Sequence, residues 1–216
     1  MKNLLLVVLL WLTVCGAAQA QDNDDVQFWP DVTVGFRLKP RVVWSLFGTL
    51  RPGHDQGRVV SEQLGTAVNL QVNKYLSITP AYRHVWSQPD VARHSQEDRY
   101  FADVTPRLPL GKGFSLSDRN RGEIRDINNR VSWRYRNRVQ LDKALQWHDH
   151  RFTAYLSSEI YYDSRFAIWN RKQFWAGTRL PVTKHLTLDL HYSRNLDKRS
   201  RPGRLHIIGM FSRWEF

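Results

Sequence analysis

Arg119, Arg121 and Arg125, followed after a turn by Arg134, Arg136 and Arg138, set six guanidinium groups at alternating positions of two short segments. Arginine keeps its charge in confined places and offers a fixed fork of donors, so this spacing suits the binding or passage of anions. Arg171 and Arg179 continue the series, and the acids that would answer it are Asp103, Glu123, Glu159 and Asp189. Two smaller clusters carry other chemistry. His191 and Ser193 pair a base with a hydroxyl nucleophile, but spacing supplies no third member. His148-Asp149-His150 offers two imidazoles at i and i+2 beside Trp147, without a cysteine or a spaced third ligand, and reads as a polar turn. Gly111-Lys112-Gly113 lies between two alternating segments and reads as a hairpin turn, not a phosphate loop. The sequence is therefore not read as an enzyme, and neither metal nor cofactor is expected.

The elements that hold these residues show themselves by a period of two. From Arg130 to Leu141, Arg130, Ser132, Arg134, Arg136, Arg138 and Gln140 share one parity, while Val131, Trp133, Tyr135, Val139 and Leu141 share the other, interrupted by Asn137. A helix would mix these sets, whereas a strand separates them. The test repeats along the chain, with turn residues between segments, and predicts strands at 27–38, 41–51, 61–73, 75–87, 97–109, 114–126, 130–142, 150–162, 169–181, 185–196 and 204–216. Tight turns such as Asn73-Lys74 alternate with longer polar connections such as 52–58 and 197–203, as in a transmembrane β-barrel. The expected fold is all-β: one antiparallel transmembrane barrel of about 10–12 strands. The odd count conflicts with the even number usual in such barrels, so either a strand is missed or wrongly divided, or residues 27–38 are not an ordinary barrel strand.

In a bilayer the apolar parity must face outward, which turns the polar parity into the lumen. That set holds Arg37, Arg51, Arg83, Arg99, Arg107, Arg130, Arg151 and Arg213 besides the eight arginines above. Its acids are Asp31, Asp103, Glu123, Glu159, Asp189 and Glu215. His191 and Ser193 fall on the lumen side, where a lipid-cleaving site would have no access to its substrate. A secreted β-sandwich would explain alternation, but not a polar inner face on nearly every strand. The last strand presents Ile208, Met210, Trp214 and Phe216 on one face, and Trp214 and Phe216 are read as a C-terminal signal for the barrel assembly machinery.

Composition agrees. Lys+Arg number 32 against 20 Asp+Glu, a formal net charge of +12, yet only eight of the 32 are lysine. A cationic excess placed inside a barrel is not a nucleic-acid surface, so no nucleic acid is expected. Residues 1–20 run from Lys2 through an apolar stretch to Ala18-Gln19-Ala20, the pattern of a signal peptide, with a barrel domain at 21–216. The single cysteine, Cys15, lies in that leader. The expected location is the bacterial outer membrane, with its lipid bilayer as partner.

The stretch Arg119-Asn120-Arg121-Gly122-Glu123-Ile124-Arg125, with Tyr135-Arg136-Asn137-Arg138, resembles the arginine core of the bacterial domain of unknown function 2490. Glu159-Ile160-Tyr161-Tyr162, Asn170-Arg171, Ala176-Gly177 and the run from Leu186 to Tyr192 are similar to its later segments. The resemblance spans most of 27–216 and implies an outer-membrane barrel with no assigned activity. Two readings of the arginines stay open: a porin-like narrow channel or binding barrel for small anionic solutes, and a non-conducting structural or interaction barrel in which the guanidinium groups are neutralised. A lipid-modifying enzyme ranks third.

Overall fold

The computed structural model describes residues 24–52, 59–90, 93–200 and 203–216. The expected leader at 1–20 lies outside the described residues. Eleven strands follow one another: β1 (Asp24–Lys39), β2 (Val42–Pro52), β3 (Val59–Asn73), β4 (Leu76–Asp90), β5 (Arg93–Gly111), β6 (Phe114–Ile127), β7 (Arg130–Trp147), β8 (His150–Asp163), β9 (Ile168–Pro181), β10 (Leu186–Asp197) and β11 (Arg204–Glu215). Each pairs with its neighbours in chain order, and β1 meets β11 to close the barrel. The expected all-β barrel and its strand count hold; several strands run two to five residues further than the turn signals implied, β7 to Trp147 among them.

The odd number has a geometric answer. Consecutive antiparallel strands alternate in direction, so with eleven of them the first and last point the same way. β1 and β11 accordingly pair in parallel through twelve register partners, from Asp24↔Arg204 to Gly35↔Glu215, while every other pair is antiparallel. Residues 27–38 are thus a full wall strand. The final residue locks the seam: Phe216 N–H donates to the Gly35 carbonyl at 2.9 Å, and Arg37 N–H donates to the Phe216 carbonyl at 2.8 Å. Phe36 and His185 stack on the Phe216 ring.

The end of the barrel that carries Phe216, here called proximal, holds short turns. Gly111, Lys112 and Gly113 all adopt positive φ (83°, 49° and 79°) in the β5–β6 turn, a conformation that glycine enters without steric cost. The opposite, distal end carries longer connections such as that between β10 and β11, and the tight turn Asn128-Asn129, whose φ values of 49° and 63° suit the twist of a two-residue hairpin. His148-Asp149 forms the β7–β8 turn at the proximal end, with His148 also at positive φ.

Burial follows parity. Leu38, Leu64, Ile124, Val131 and Leu156 stand exposed on the outer wall, whereas Arg99, Arg121, Glu123, Arg125, Arg134 and Glu159 are buried inside. This inverts the distribution of a water-soluble domain and is the distribution of an outer-membrane-type barrel.

Candidate functional site in the barrel lumen

The arginine hairpin brings like charges face to face. In register Arg119 opposes Arg138 and Arg121 opposes Arg136, with Glu123 opposite Arg134. Directly opposed cations are destabilising, and neighbouring strands supply the acids that relieve them. Asp103 on β5, opposite Arg121, takes a bidentate pair at 2.5 and 2.7 Å. Glu123 accepts from Arg134 at 2.5 Å and from Arg136 at 3.1 Å. Glu159 on β8 accepts from Arg119 at 2.6 Å and Arg136 at 2.8 Å. Glu97 holds both Arg99 (2.7 Å) and Arg125 (2.6 Å), and Asp163 reaches Arg125 at 3.2 Å. Arg171 pairs with Asp197 at 2.5 Å, and Arg179 pairs with Asp142. In the turn beyond β8, Arg165 bonds Asp163, and this hydrogen bond holds its guanidinium above its ordinary pKa.

Aromatic faces complete the packing. Arg121 lies 4.0 Å from the Phe101 ring centroid and Arg136 4.4 Å from that of Tyr161, whose hydroxyl accepts from Arg136 and donates to Gln173. Arg138 bonds Ser157 and stacks over Trp175, without a carboxylate among the described residues. Of the eight predicted ladder arginines, seven are therefore acid-paired. Asp103, Glu123 and Glu159 act as the expected acidic partners. Asp189 does not: its Oδ1 accepts from the Tyr155 hydroxyl at 2.7 Å and sits 3.3 Å from His191 Nδ1.

Glu97, Asp142, Asp163 and Asp197 were absent from the expected acids, although each lies on the inward parity of its strand. Glu97 and Asp142 are the first and last residues of their predicted strands, and Asp163 and Asp197 lie just past theirs. Carrying the alternation to the limit of each predicted strand and one residue further would have found them.

His191 and Ser193 face inward as their parity required, and both are fully buried. The imidazole lies between Trp175 and Phe211, with ring centroids at 4.7 and 4.4 Å. It is seated against Gly209, where an added Cβ would fall 2.0 Å from Nε2. Ser193 instead accepts from Gln173 at 3.2 Å. Together with Ile207, Glu159 and Asp163, these side chains fill the distal half of the lumen.

Toward the proximal end the filling opens into a cavity of about 270 Å³, whose wall includes Asp31, Arg83, Phe101, Asp189, Phe211 and Arg213. Arg83 donates to Gln63 at 2.7 Å and lies 4.8 Å from the Phe47 ring, but bonds no carboxylate among the described residues, and its buried Nε has no partner.

Two polar groups on the outer wall were not anticipated. His84 Nδ1 and the Tyr82 hydroxyl both meet Asp98 Oδ1, at 2.7 and 2.5 Å. Near mid-wall, Asn120 and Asn137 donate to Asp118 at 3.2 and 2.5 Å, and Tyr135 bonds Asn120. Asn137, a break in the apolar parity of β7, and Asp118 and Asn120 on the same outward parity of β6 were the signs of the second group. Trp214 and Phe216 stand on the outer face at the seam.

Comparison with known proteins adds fold and family. The family model described as "Protein of unknown function (DUF2490)" matches residues 26–206. Among solved structures the chain is similar to LpxR from Salmonella typhimurium, at 10% sequence identity and a TM-score of 0.50, with 83% of each chain covered. That likeness is one of fold, to an outer-membrane barrel. No curated protein matches the chain.

Proposed function

The chain belongs to the DUF2490 family, and from that premise we propose that it is an outer-membrane β-barrel, sealed in its distal half, that binds small anionic solutes in its proximal cavity. Location in the outer membrane is supported by the apolar exterior and by the likeness to an outer-membrane barrel. The strands have 11 or more residues, and about 9–11 suffice to cross the hydrocarbon layer at a tilt. With the C-terminus placed on the periplasmic side, the short proximal turns face the periplasm, as in other such barrels. Handling by the barrel assembly machinery, read from Trp214 and Phe216, belongs to the same proposal.

The arginine-rich interior reconciles the two sequence readings by dividing the lumen. In the distal half guanidinium and carboxylate groups neutralise one another and buried side chains fill the lumen, which supports a binder over a channel. In the proximal half the cavity keeps Arg83, and this one observation carries the proposal. A confined cation without a carboxylate is costly unless water or an anionic ligand satisfies it.

Equilibrium dialysis of the refolded barrel with labelled glutarate and with inorganic phosphate tests this. One solute should bind near stoichiometrically, and Arg83→Gln should abolish that binding while the folded gel mobility persists. A steady anion-selective conductance in planar bilayers would restore the channel reading. Binding of neither solute would favour the structural barrel.

A catalytic reading is favoured by one observation, the Asp98–His84 contact on the outer wall, where lipid is accessible. Incubation with labelled phospholipid or lipid A and mass analysis tests it; an unchanged lipid profile removes it.

A further inference from the structure

The charges around the proximal cavity are not all spoken for, and those left over describe a ligand. Asp31 is occupied by Arg51 at 2.7 Å and Thr49 at 2.6 Å. Asp103 is held by both arms of Arg121, and Arg179 by Asp142. Three charged groups remain. Arg83 has only the neutral Gln63 and aromatic faces. Arg213 makes no hydrogen bond or ion pair among the described residues and stands exposed at the cavity wall. Asp189 is met by the Tyr155 hydroxyl and the His191 imidazole, with no lysine or arginine bonded to it.

Their placement is unequal. Asp189 pairs in register with Phe211, so Arg213, two residues further along β11, lies on the same inward face next to it. An acid and a base side by side, neither satisfied by the other, suit a head group that carries both an ammonium and a carboxylate. Arg83 lies on β4, five strands from β10 around an eleven-strand wall, and hence nearly opposite. With strands about 4.8 Å apart and tilted by roughly 40°, the wall is on the order of 20 Å across between backbones. After side chains reach inward, a gap of roughly 10 Å remains, which a short carbon chain with a hydrogen bond at each end would span. Phe47, Phe101 and Phe211 supply apolar wall for the carbon chain, beside hydroxyls such as Thr49 and Thr79.

We propose that the proximal cavity binds a small α-amino acid bearing an acidic side chain, its ammonium on Asp189, its α-carboxylate on Arg213 and its side-chain carboxylate on Arg83. This rests on the anion-binding reading above and deepens it. The two arginines and one aspartate leave the site a single positive charge, which such a ligand, with two carboxylates and one ammonium, cancels. A dicarboxylate without an amine would leave Asp189 facing an apolar chain and repel its nearby carboxylate, so it should bind more weakly.

Isothermal titration of the refolded full barrel with L-glutamate, glutarate and 4-aminobutyrate separates the possibilities, since the last two lack the amine and the α-carboxylate respectively. L-glutamate is expected to bind at least tenfold more tightly than either. Asp189→Asn should remove the preference over glutarate without weakening glutarate, and Arg213→Gln should remove the preference over 4-aminobutyrate. Glutarate binding as tightly as L-glutamate to the unsubstituted barrel would overturn this inference and leave the anion-binding reading intact. No binding of any of the three, nor of phosphate, by protein that retains its folded gel mobility would overturn both.

Discussion

Glu159 stands in register opposite Arg138, yet its Oε1 lies 2.8 Å from Nε of Arg136, one diagonal step along β7. The same oxygen takes Arg119 from β6, so a single carboxylate with no exposed surface ties three strands of the wall. Glu159→Gln removes the charge at nearly constant volume, takes the carboxylate from Arg119 and leaves Arg136 with Glu123 alone. A loss of about 3 kcal/mol is expected, since breaking a buried ion pair from one side costs roughly that. Urea titration in lipid vesicles, followed by tryptophan fluorescence, would measure it. An unchanged midpoint would mean that water or a neighbouring acid replaces the pair.

Gly209 makes room for the His191 ring. An alanine there would drive its Cβ to 2.0 Å from Nε2 and 2.2 Å from Cε1, so the imidazole would have to leave its seat between Trp175 and Phe211. Gly209→Ala is expected to destabilise the barrel by about 1–3 kcal/mol, the usual cost of overpacking. His191→Ala combined with it should recover most of that loss. Additive single and double variants would show that the two sites do not meet.

The parallel seam is open to a chemical test. Val32 and Ser212 are register partners on the outer face of β1 and β11. Cysteines at both positions should cross-link on oxidation of the folded barrel, because adjacent strands bring Cβ atoms within disulfide range. Cysteines at Val32 and Ile208, four residues out of register and hence about 13 Å apart, should not. Cross-linking of the second pair but not the first would displace β1 from the register described here.

Asp118 faces outward near mid-wall, its carboxylate bonded among the described residues to Asn120 and Asn137. Against lipid a carboxylate there is a net cost, so Asp118→Asn should raise stability in phospholipid vesicles by about 1 kcal/mol. A clear loss instead would show that the carboxylate serves a protein or headgroup contact on that face.

The wall and its two faces were legible in the sequence because a strand makes face membership a matter of parity alone. Arg134, Arg136 and Arg138 could hardly be misplaced once Val131, Trp133 and Tyr135 were seen between them. What parity does not carry is which strands are neighbours across the closure, how far each runs past its turn residues, and which diagonal partner a long side chain selects. The seam required the count of strands to be taken literally. Glu97, Asp142, Asp163 and Asp197 were missed because they sit at the limits of the predicted strands, where a polar residue reads equally well as a turn. Arg83 was placed inside correctly, but its lack of a carboxylate depends on Asp31 being claimed by Arg51, a choice made by side-chain reach.

Ten of the eleven strand pairings join neighbours in the chain, whereas β1 and β11 meet across some 180 residues. Ring closure over that length carries an entropic penalty on the order of 5 kcal/mol, against far less for each hairpin. The seam should therefore be the last contact to form, and contact order concentrated in one place makes it the slow step. Until then the curled sheet presents two unpaired edges, the feature by which β proteins most readily stick to one another. The twelve paired residues of that seam separate a sealed cylinder from an aggregation-prone ribbon.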